Sequence, residues 1–138
     1  MRRKRAGARA AARTPRPTDA ELEILNVLWQ RGASTVRDVH QAIMRSRPAL
    51  GYTTVLKLMQ IMAEKKLVRR DESQRAHVYE AQLAREQTQQ QLLGELIERA
   101  FEGSATKLVM QALSAKQTSA EELTTIRAML DEFERGDK

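Results

Sequence analysis

The sequence contains no cysteine among its 138 residues. Disulfide bonds, thiolate metal sites and cysteine nucleophiles are therefore excluded, and the absence fits a reducing cytoplasm. Aromatic residues are also scarce at 4%, so the core that a hydrophobic content of 41% permits must be built mainly from aliphatic side chains. A core of this kind favours helices.

Long apolar runs are missing as well. No segment approaches the roughly 20 apolar residues that a membrane-spanning helix needs, and the charged start lacks the apolar stretch of a secretory signal. We therefore expect a soluble cytoplasmic protein. An Arg- and Ala-rich start with no acidic residue before Asp19 is also found in organellar transit peptides, although those are usually rich in serine.

Motifs that would support catalysis are absent from the sequence. The chain has no Gly-rich phosphate loop, no zinc-protease motif and no nucleophile elbow around a serine. His40 and His77 are far apart in the sequence, and neither has an acidic residue at metal-ligand spacing. We therefore expect no enzymatic activity, no cofactor and no bound metal.

Positive charge is concentrated near the N-terminus. Residues 1–17 contain seven Lys or Arg and no acid, residues 18–80 contain ten basic and eight acidic residues, and residues 81–138 contain seven basic and ten acidic residues. This asymmetry favours a polyanion bound by the N-terminal half. Because residues 1–17 are rich in Arg, Ala and Pro and lack apolar periodicity, we interpret them as a disordered basic arm.

Two short helices are predicted directly after this arm. Thr18 and Glu21 have the spacing of a capping box, apolar residues then recur at helical spacing, and Gly32 offers a left-handed end to the first helix. The second helix begins after Ser34–Thr35 and is expected to run to about Ser46. The apolar face of the second helix is formed by Val36, Val39 and Ile43.

A third helix and a β-hairpin follow. Residues 47–51 form a connector, because Pro48 disfavours helical backbone at the residue before it. The third helix is predicted over Tyr52–Lys66, and two short strands over 67–70 and 76–79 are joined by a polar tip. Three short helices and a hairpin in this order are typical of a winged helix-turn-helix.

From Leu83 onward the pattern contains only helices. The first has a broad apolar stripe that ends at Gly103, and the last opens with two overlapping capping boxes over residues 118–122. Three such helices bury too little surface for an independent domain, so we expect a second copy to complete the core. The residues expected to form this homodimer contact are Leu92, Leu93, Leu96, Ile97, Phe101, Leu108, Leu123, Ile126 and Leu130.

The predicted fold class is therefore mainly α with a small β-hairpin. The expected architecture is a winged helix-turn-helix followed by an α-helical dimerisation domain. The predicted boundaries are a basic arm over 1–17, a winged-helix DNA-binding domain over 18–81 and a helical dimerisation domain over 82–135.

With these segments in this order, the chain resembles the penicillinase-repressor family of winged-helix regulators, the group of BlaI, MecI and CopY. The resemblance covers roughly residues 17–134 and depends on the joint spacing of its segments. These segments are Pro17–Glu21, Val27–Trp29, Thr35–Val39, Tyr52–Val55, Arg75–Tyr79, Phe101–Ser104 with Leu108–Val109, and Ser119–Leu123.

The resemblance implies a repressor that binds inverted-repeat operator DNA of resistance or stress genes and is released by an inducing signal. In the best-known members, a membrane sensor with a zinc-protease domain triggers cleavage within the dimerisation helices. Glu95–Leu96 stands where the β-lactam branch is cut at an Asn–Phe bond, which places that route in doubt. The lack of cysteine excludes copper sensing through thiolates. Lys66 stands where the family usually has glycine. The turn from the third helix into the β-hairpin, which is the wing of the fold, can therefore differ from that of the family.

The second helix of a helix-turn-helix pair carries the base contacts. The major-groove candidates on this helix are Thr53, Thr54, Lys57 and Gln60, with Thr54 alternatively a capping residue or a phosphate contact. The candidates for contact with phosphate are Tyr52 and, on the wing, Arg69, Arg70 and Arg75. Tyr52 alternatively packs against Leu50, and Leu56 either packs inward or meets a thymine methyl group. Trp29 is expected to belong to the core.

Two other functions compete with the operator-binding repressor. The first is a sequence-nonspecific basic nucleic-acid-binding protein, which would bind every sequence alike with a steep salt dependence. The second is an adaptor that uses the winged helix to bind protein, and it would have little affinity for any DNA.

Overall fold

The computed structural model describes residues 16–115 and 117–136, so residues 1–15 of the predicted arm lie outside the described residues. Within the described ranges the chain forms six helices and three strands, which confirms the predicted fold class. Contacts divide the chain into two units, with the boundary after Leu93. The elements are α1 (Asp19–Arg31), β1 (Ser34–Thr35), α2 (Val36–Ile43), α3 (Tyr52–Glu64), β2 (Val68–Asp71), β3 (Val78–Ala81), α4 (Arg85–Ala100), α5 (Ala105–Ala115) and α6 (Ala120–Glu134).

The three strands form one antiparallel sheet in the order β1-β3-β2. In the predicted hairpin, Asp71 of β2 lies opposite Val78 of β3, so both strands lie one or two residues later than the sequence suggested. Asp71 ends its strand by accepting a 2.9 Å hydrogen bond from the Ser73 amide. Strand β1 was not predicted, because two residues are too few to show an alternating pattern.

Side-chain caps fix where the first two helices begin. Thr18 and Glu21 form the predicted capping box, and Gly32 ends α1 with a φ of 90°. A second capping box joins Thr35 and Asp38 at the start of α2. The hydrogen bond from the Thr35 amide holds the pKa of Asp38 below its ordinary value, since it favours the ionised carboxylate.

Helix α2 is shorter than predicted, because it ends at Ile43 and not near Ser46. The residues from Met44 to Ser46 form a turn, and the Ser46 hydroxyl donates a 3.3 Å hydrogen bond to the Ile43 carbonyl.

The core of the N-terminal unit lies between α1, α2, α3 and the sheet. It is almost entirely aliphatic, as the composition predicts, and Trp29 packs at its edge half-buried. The buried hydrophobic residues are Ile24, Leu25, Leu28, Val36, Val39, Ile43, Val55, Met59, Met62, Leu67, Val68 and Tyr79.

An ion pair ties the start of α1 to the end of α3. The carboxylate of Glu21 is 2% exposed, and the Lys65 ammonium donates hydrogen bonds of 2.9 and 3.0 Å to its two oxygens. The Thr18 amide donates a third bond of 3.0 Å. A buried carboxylate needs partners of this kind, because an unpaired charge is costly to remove from water.

The turn from α3 into the wing depends on a residue with left-handed backbone. Lys66 has a φ of 70°, and two hydrogen bonds close the turn, from its own amide to Ala63 and from the Leu67 amide to Met62. This pattern is a Schellman motif, in which glycine is the usual left-handed residue. Helix α3 therefore ends at Glu64, two residues earlier than predicted, and Lys66 adopts the conformation that glycine would favour there.

The C-terminal unit begins within α4 and contains α5 and α6. Gly103 follows the end of α4 with a φ of 80° and donates a 2.9 Å hydrogen bond to the Ile97 carbonyl, as expected for the end of the stripe. Of the two overlapping capping boxes, the one from Ser119 to Glu122 forms. Among the described residues, no helix has both the length and the apolar character needed to cross a membrane.

Lys66→Gly should stabilise the protein by up to about 1 kcal/mol. Left-handed backbone costs a residue with a Cβ atom roughly 1–2 kcal/mol, and the extra unfolded-state entropy of glycine offsets only part of this gain. Urea denaturation at fixed protein concentration measures the change. The control is Glu64→Gly, two residues earlier in helical backbone, which should destabilise the protein by about 1 kcal/mol. Equal destabilisation by both substitutions would contradict the left-handed assignment at Lys66.

Candidate nucleic-acid interface

Helix α3 presents a polar face directly opposite its apolar one. Val55 and Met59 are fully buried, whereas Thr53, Lys57 and Gln60 are exposed. At 100° per residue, the three polar residues lie on the side of the helix that faces away from the core. The structure therefore places three of the four predicted major-groove residues on one accessible surface.

The first turn of α3 combines exposure with an uncapped helix end. The N-cap residue Gly51 makes no side-chain hydrogen bond, and Thr54 is exposed nearby. Tyr52 is 48% exposed, and its ring meets His40 of α2 edge-on at a centroid distance of 6.0 Å. Leu50 instead packs against the core. This geometry leaves much of the Tyr52 surface open to solvent.

A cavity of about 580 Å³ lies between α3 and the wing, and we call it the helix–wing groove. Its lining contains three arginines and a histidine but no acidic residue, which suits a negatively charged partner such as a phosphate backbone. The lining residues are Thr35, Val36, Arg37, Tyr52, Leu56, Gln60, Arg70, Arg75, Ala76, His77 and Tyr79.

Leu56 occupies an intermediate position in this groove. It is half-buried and packs against the core, and part of its surface also lines the groove beside Tyr52 and Gln60. Inward packing, one of the two expectations for this residue, is therefore present in the structure.

The three wing arginines have different surroundings. Arg70 and Arg75 line the helix–wing groove, whereas Arg69 is not among its lining residues. The Arg69 guanidinium lies 2.7 Å from the Glu80 carboxylate on the neighbouring strand. Successive side chains of a strand point to opposite faces, which accounts for the separation of Arg69 from Arg70. The structure thus brings only two of the three near α3.

Arg70 is held by two groups inside the wing. A hydrogen bond with the Tyr79 hydroxyl raises the pKa of Arg70, and the Glu72 carboxylate lies 2.6 Å from its Nε atom. No ion pair of Arg75 occurs within the described part of the chain. Exposed ion pairs contribute at most about 1 kcal/mol, so a phosphate can replace Glu72 or Glu80 as a partner at small cost.

Two basic residues of the groove were not predicted as contacts. Arg37 lies in the first turn of α2, and His77 precedes β3. Neither lies on the second helix of the helix-turn-helix pair or among the wing arginines from which the contacts were predicted, and the folded arrangement brings both to the groove beside α3. Among the described residues, no group of three side chains is arranged to hold a metal ion.

The C-terminal unit has apolar side chains that a single chain does not bury. Within residues 94–115 and 117–136, no side chain whose burial is described is buried, and Leu96 is 47% exposed. Met110 and Met129 are exposed and were not among the predicted contact residues, although Met129 follows Ile126 at helical spacing. Of the predicted contact residues in both units, Leu93, Leu96 and Leu130 are exposed, and Leu92, Ile97, Phe101, Leu108, Leu123 and Ile126 are half-buried.

Comparison with known proteins shows to which family the chain belongs. The profile of the penicillinase repressor family matches residues 17–132, which include the winged helix and most of the C-terminal helices. The chain belongs to the penicillinase-repressor family. It is also 32% identical over 126 residues to the transcriptional regulator BlaI from two strains of Mycobacterium tuberculosis, CDC 1551 / Oshkosh and ATCC 25618 / H37Rv. Each alignment covers 91% of this chain and 90% of the relative.

Family membership confirms the resemblance inferred from the sequence. The penicillinase-repressor family consists of transcriptional regulators and not of enzymes, as the lack of catalytic motifs predicts. The polar face of α3 and the helix–wing groove are therefore the candidate DNA-binding surface of a penicillinase-repressor family member.

Lys57→Ala and Gln60→Ala should each weaken binding to operator DNA by about 1–3 kcal/mol and relax the preference at one base pair, because each removes a hydrogen-bonding group that faces away from the core. Titration of a preferred duplex and a scrambled duplex measures the difference. The control is Lys107→Ala, an exposed lysine of α5 in the C-terminal unit, which should leave both affinities unchanged. An equal loss on both duplexes would identify the two residues as phosphate contacts.

Proposed function

We propose that the protein is a transcriptional repressor that binds an inverted-repeat operator as a homodimer. In this proposal α3 enters the major groove and the wing contacts the neighbouring phosphates. The observation that carries it is the position of the exposed polar face of α3 beside a groove lined with basic and no acidic residues. Family membership supports the same role. We expect the repressor to act in the cytoplasm, where bacterial DNA lies.

Within this complex the side chains have separate tasks. Lys57 and Gln60 read base edges, because they project from the middle of α3 on the side away from the core. Arg70 and Arg75 bind phosphate and set the orientation of the protein on the duplex. Tyr52 and Thr54, at the start of α3, contact the sugar–phosphate backbone of the DNA where the helix enters the major groove. Arg69 contributes only where phosphate replaces Glu80 as its partner.

The homodimer is supported by the exposed apolar surface of the C-terminal helices. Leu96, Leu130 and Phe133 are 47%, 57% and 69% exposed in the single chain. A second copy that buries these side chains would remove them from water at about 25 cal/mol per Å² of apolar area. Twofold symmetry of the dimer then requires an inverted repeat, with half-site centres about one DNA turn or a multiple of it apart.

Induction acts, in this proposal, by separating the two winged helices. Joining them makes the second half-site contact nearly intramolecular, at an effective concentration on the order of millimolar. Cleavage between Gln91 and Glu102 would remove this advantage without unfolding the winged helix. A membrane sensor protease would act indirectly on this segment, and Glu95–Leu96 in place of the Asn–Phe bond calls for a different cleavage preference.

Leu96→Asp should convert the dimer to a monomer and weaken operator binding by about 100-fold or more, since the advantage of two linked half-site contacts is lost. Sedimentation and operator titration measure the two effects. The control is Ala128→Asp, an exposed position on the side of α6 away from Ile126 and Leu130, which should remain dimeric. A monomeric Leu96→Asp protein that binds the full operator as tightly as wild type would contradict the dimer mechanism.

Deletion of residues 1–16 tests the competing function, which is nucleic-acid binding without sequence preference. Residues 1–16 contain seven cations and no acid, so deleting them should weaken binding to operator and scrambled DNA together. The slope of log K against log salt should flatten by roughly 0.9 per lost phosphate contact. An unchanged slope would show that the arm does not touch DNA. A full-length protein that binds all sequences equally would favour the nonspecific function.

A further inference from the structure

Tyr79 connects the core of the winged helix to the helix–wing groove. Its side chain is 1% exposed and belongs to the hydrophobic core, and it is also one of the lining residues of the groove. A tyrosine in such a place has an apolar ring that packs inside and a hydroxyl at its far end that needs a polar partner. The ring is therefore fixed by packing, and its hydroxyl is available to a neighbour at the groove.

Strand register places Arg70 directly across from this tyrosine. Arg70 of β2 and Tyr79 of β3 are partners in the antiparallel ladder, and the side chains of such partners lie on the same face of the sheet with their Cβ atoms about 5 Å apart. The Arg70 guanidinium donates a hydrogen bond to the Tyr79 hydroxyl, which raises the pKa of Arg70. A long side chain of the wing is thus attached to a group that the core holds in place.

The second partner of Arg70 is a different kind of group. The Glu72 carboxylate lies 2.6 Å from the Nε atom of Arg70, but Glu72 does not line the groove and its side chain is 52% exposed. A carboxylate offsets the charge of the guanidinium, whereas a hydroxyl leaves that charge intact. A guanidinium also has more N–H donors than these partners use, so Arg70 can bind a phosphate while it keeps its bond to Tyr79.

We propose that Tyr79 is a positioning residue that orients the Arg70 guanidinium in the helix–wing groove for a DNA phosphate. This inference rests on the DNA-binding function proposed above but not on the homodimer, since both residues belong to the N-terminal unit. An arginine that is already ordered in the free protein loses less side-chain entropy when it binds phosphate. Tyr79 thereby strengthens a contact that it does not itself make.

Tyr79→Phe separates positioning from packing. Phenylalanine keeps the ring in the core and removes only the hydroxyl that Arg70 uses. DNA binding should weaken about three- to tenfold, because Arg70 must then be ordered when it binds. The slope of log K against log salt should stay unchanged, since Arg70 keeps its charge and still reaches phosphate. Arg70→Ala should weaken binding further and flatten that slope by roughly 0.9, as expected for one lost phosphate contact.

The test is a double-mutant cycle, measured by titration of a labelled duplex of scrambled sequence with the full-length protein, because a phosphate contact acts on any sequence. In the Arg70→Ala background, Tyr79→Phe should have no further effect, since the side chain that it positions is gone. In the Arg75→Ala background, which is the matched control, Tyr79→Phe should again weaken binding about three- to tenfold. General damage to the wing would instead lower the affinity in both backgrounds.

Glu72→Gln should change the affinity in the opposite direction. It removes a negative charge beside Arg70 and should strengthen binding by up to about fivefold, the limit expected for an exposed ion pair. Glu86→Gln, an exposed acid of α4 that does not line the groove, is the control for net charge and should gain less. Thermal melting shows whether each variant is folded, and Glu72→Gln decides the question if Tyr79→Phe is not.

The outcomes separate this inference from the function on which it rests. Should wild type bind no duplex, the DNA-binding function itself would fail. Should wild type bind while Tyr79→Phe has no effect, or has the same effect with and without Arg70, DNA binding would stand and the positioning role of Tyr79 would be overturned. A loss of affinity in Glu72→Gln would assign the orientation of Arg70 to the carboxylate and would overturn it as well.

Discussion

Burial of one face of α3 is the constraint on which the rest of the structure depends. Val55, Met59 and Met62 are fully buried, so the opposite face with Lys57 and Gln60 must point to solvent. The ion pair of Glu21 with Lys65 then holds the end of α3 against α1. With its C-terminal end and one face fixed by these contacts, α3 presents its polar face to DNA from a packed element of the fold.

The two units expose different kinds of surface. The helix–wing groove is lined by basic side chains and by no acidic ones, and Glu72 and Glu80 pair with two wing arginines in ion pairs that contribute little stability. The C-terminal unit instead leaves leucine, methionine and phenylalanine side chains in water. The basic groove suits a polyanion, and the exposed apolar side chains suit the second copy that the proposed homodimer requires.

Local signals made most of the fold predictable, whereas long-range contacts did not show in the sequence. The capping box of Thr18 and the apolar stripe of α3 each depend on residues within one or two turns, and both were recognised. The approach of Arg37 to the wing and the pairing of Arg69 with Glu80 depend on strand register and on packing between distant segments. The end of α3 was predicted two residues too late, because the side chain of Lys66 gives no sign that its backbone is left-handed.

In the proposed complex, α3 reads the major groove at two symmetric half-sites. Methylation interference on duplexes selected by the protein tests it directly, because guanine N7 lies in the major groove and adenine N3 in the minor groove. N7 methylation should block binding at two positions that are related by twofold symmetry and lie about one helical turn, or a multiple of it, apart. Interference confined to adenine N3, or absent from both grooves, would contradict it.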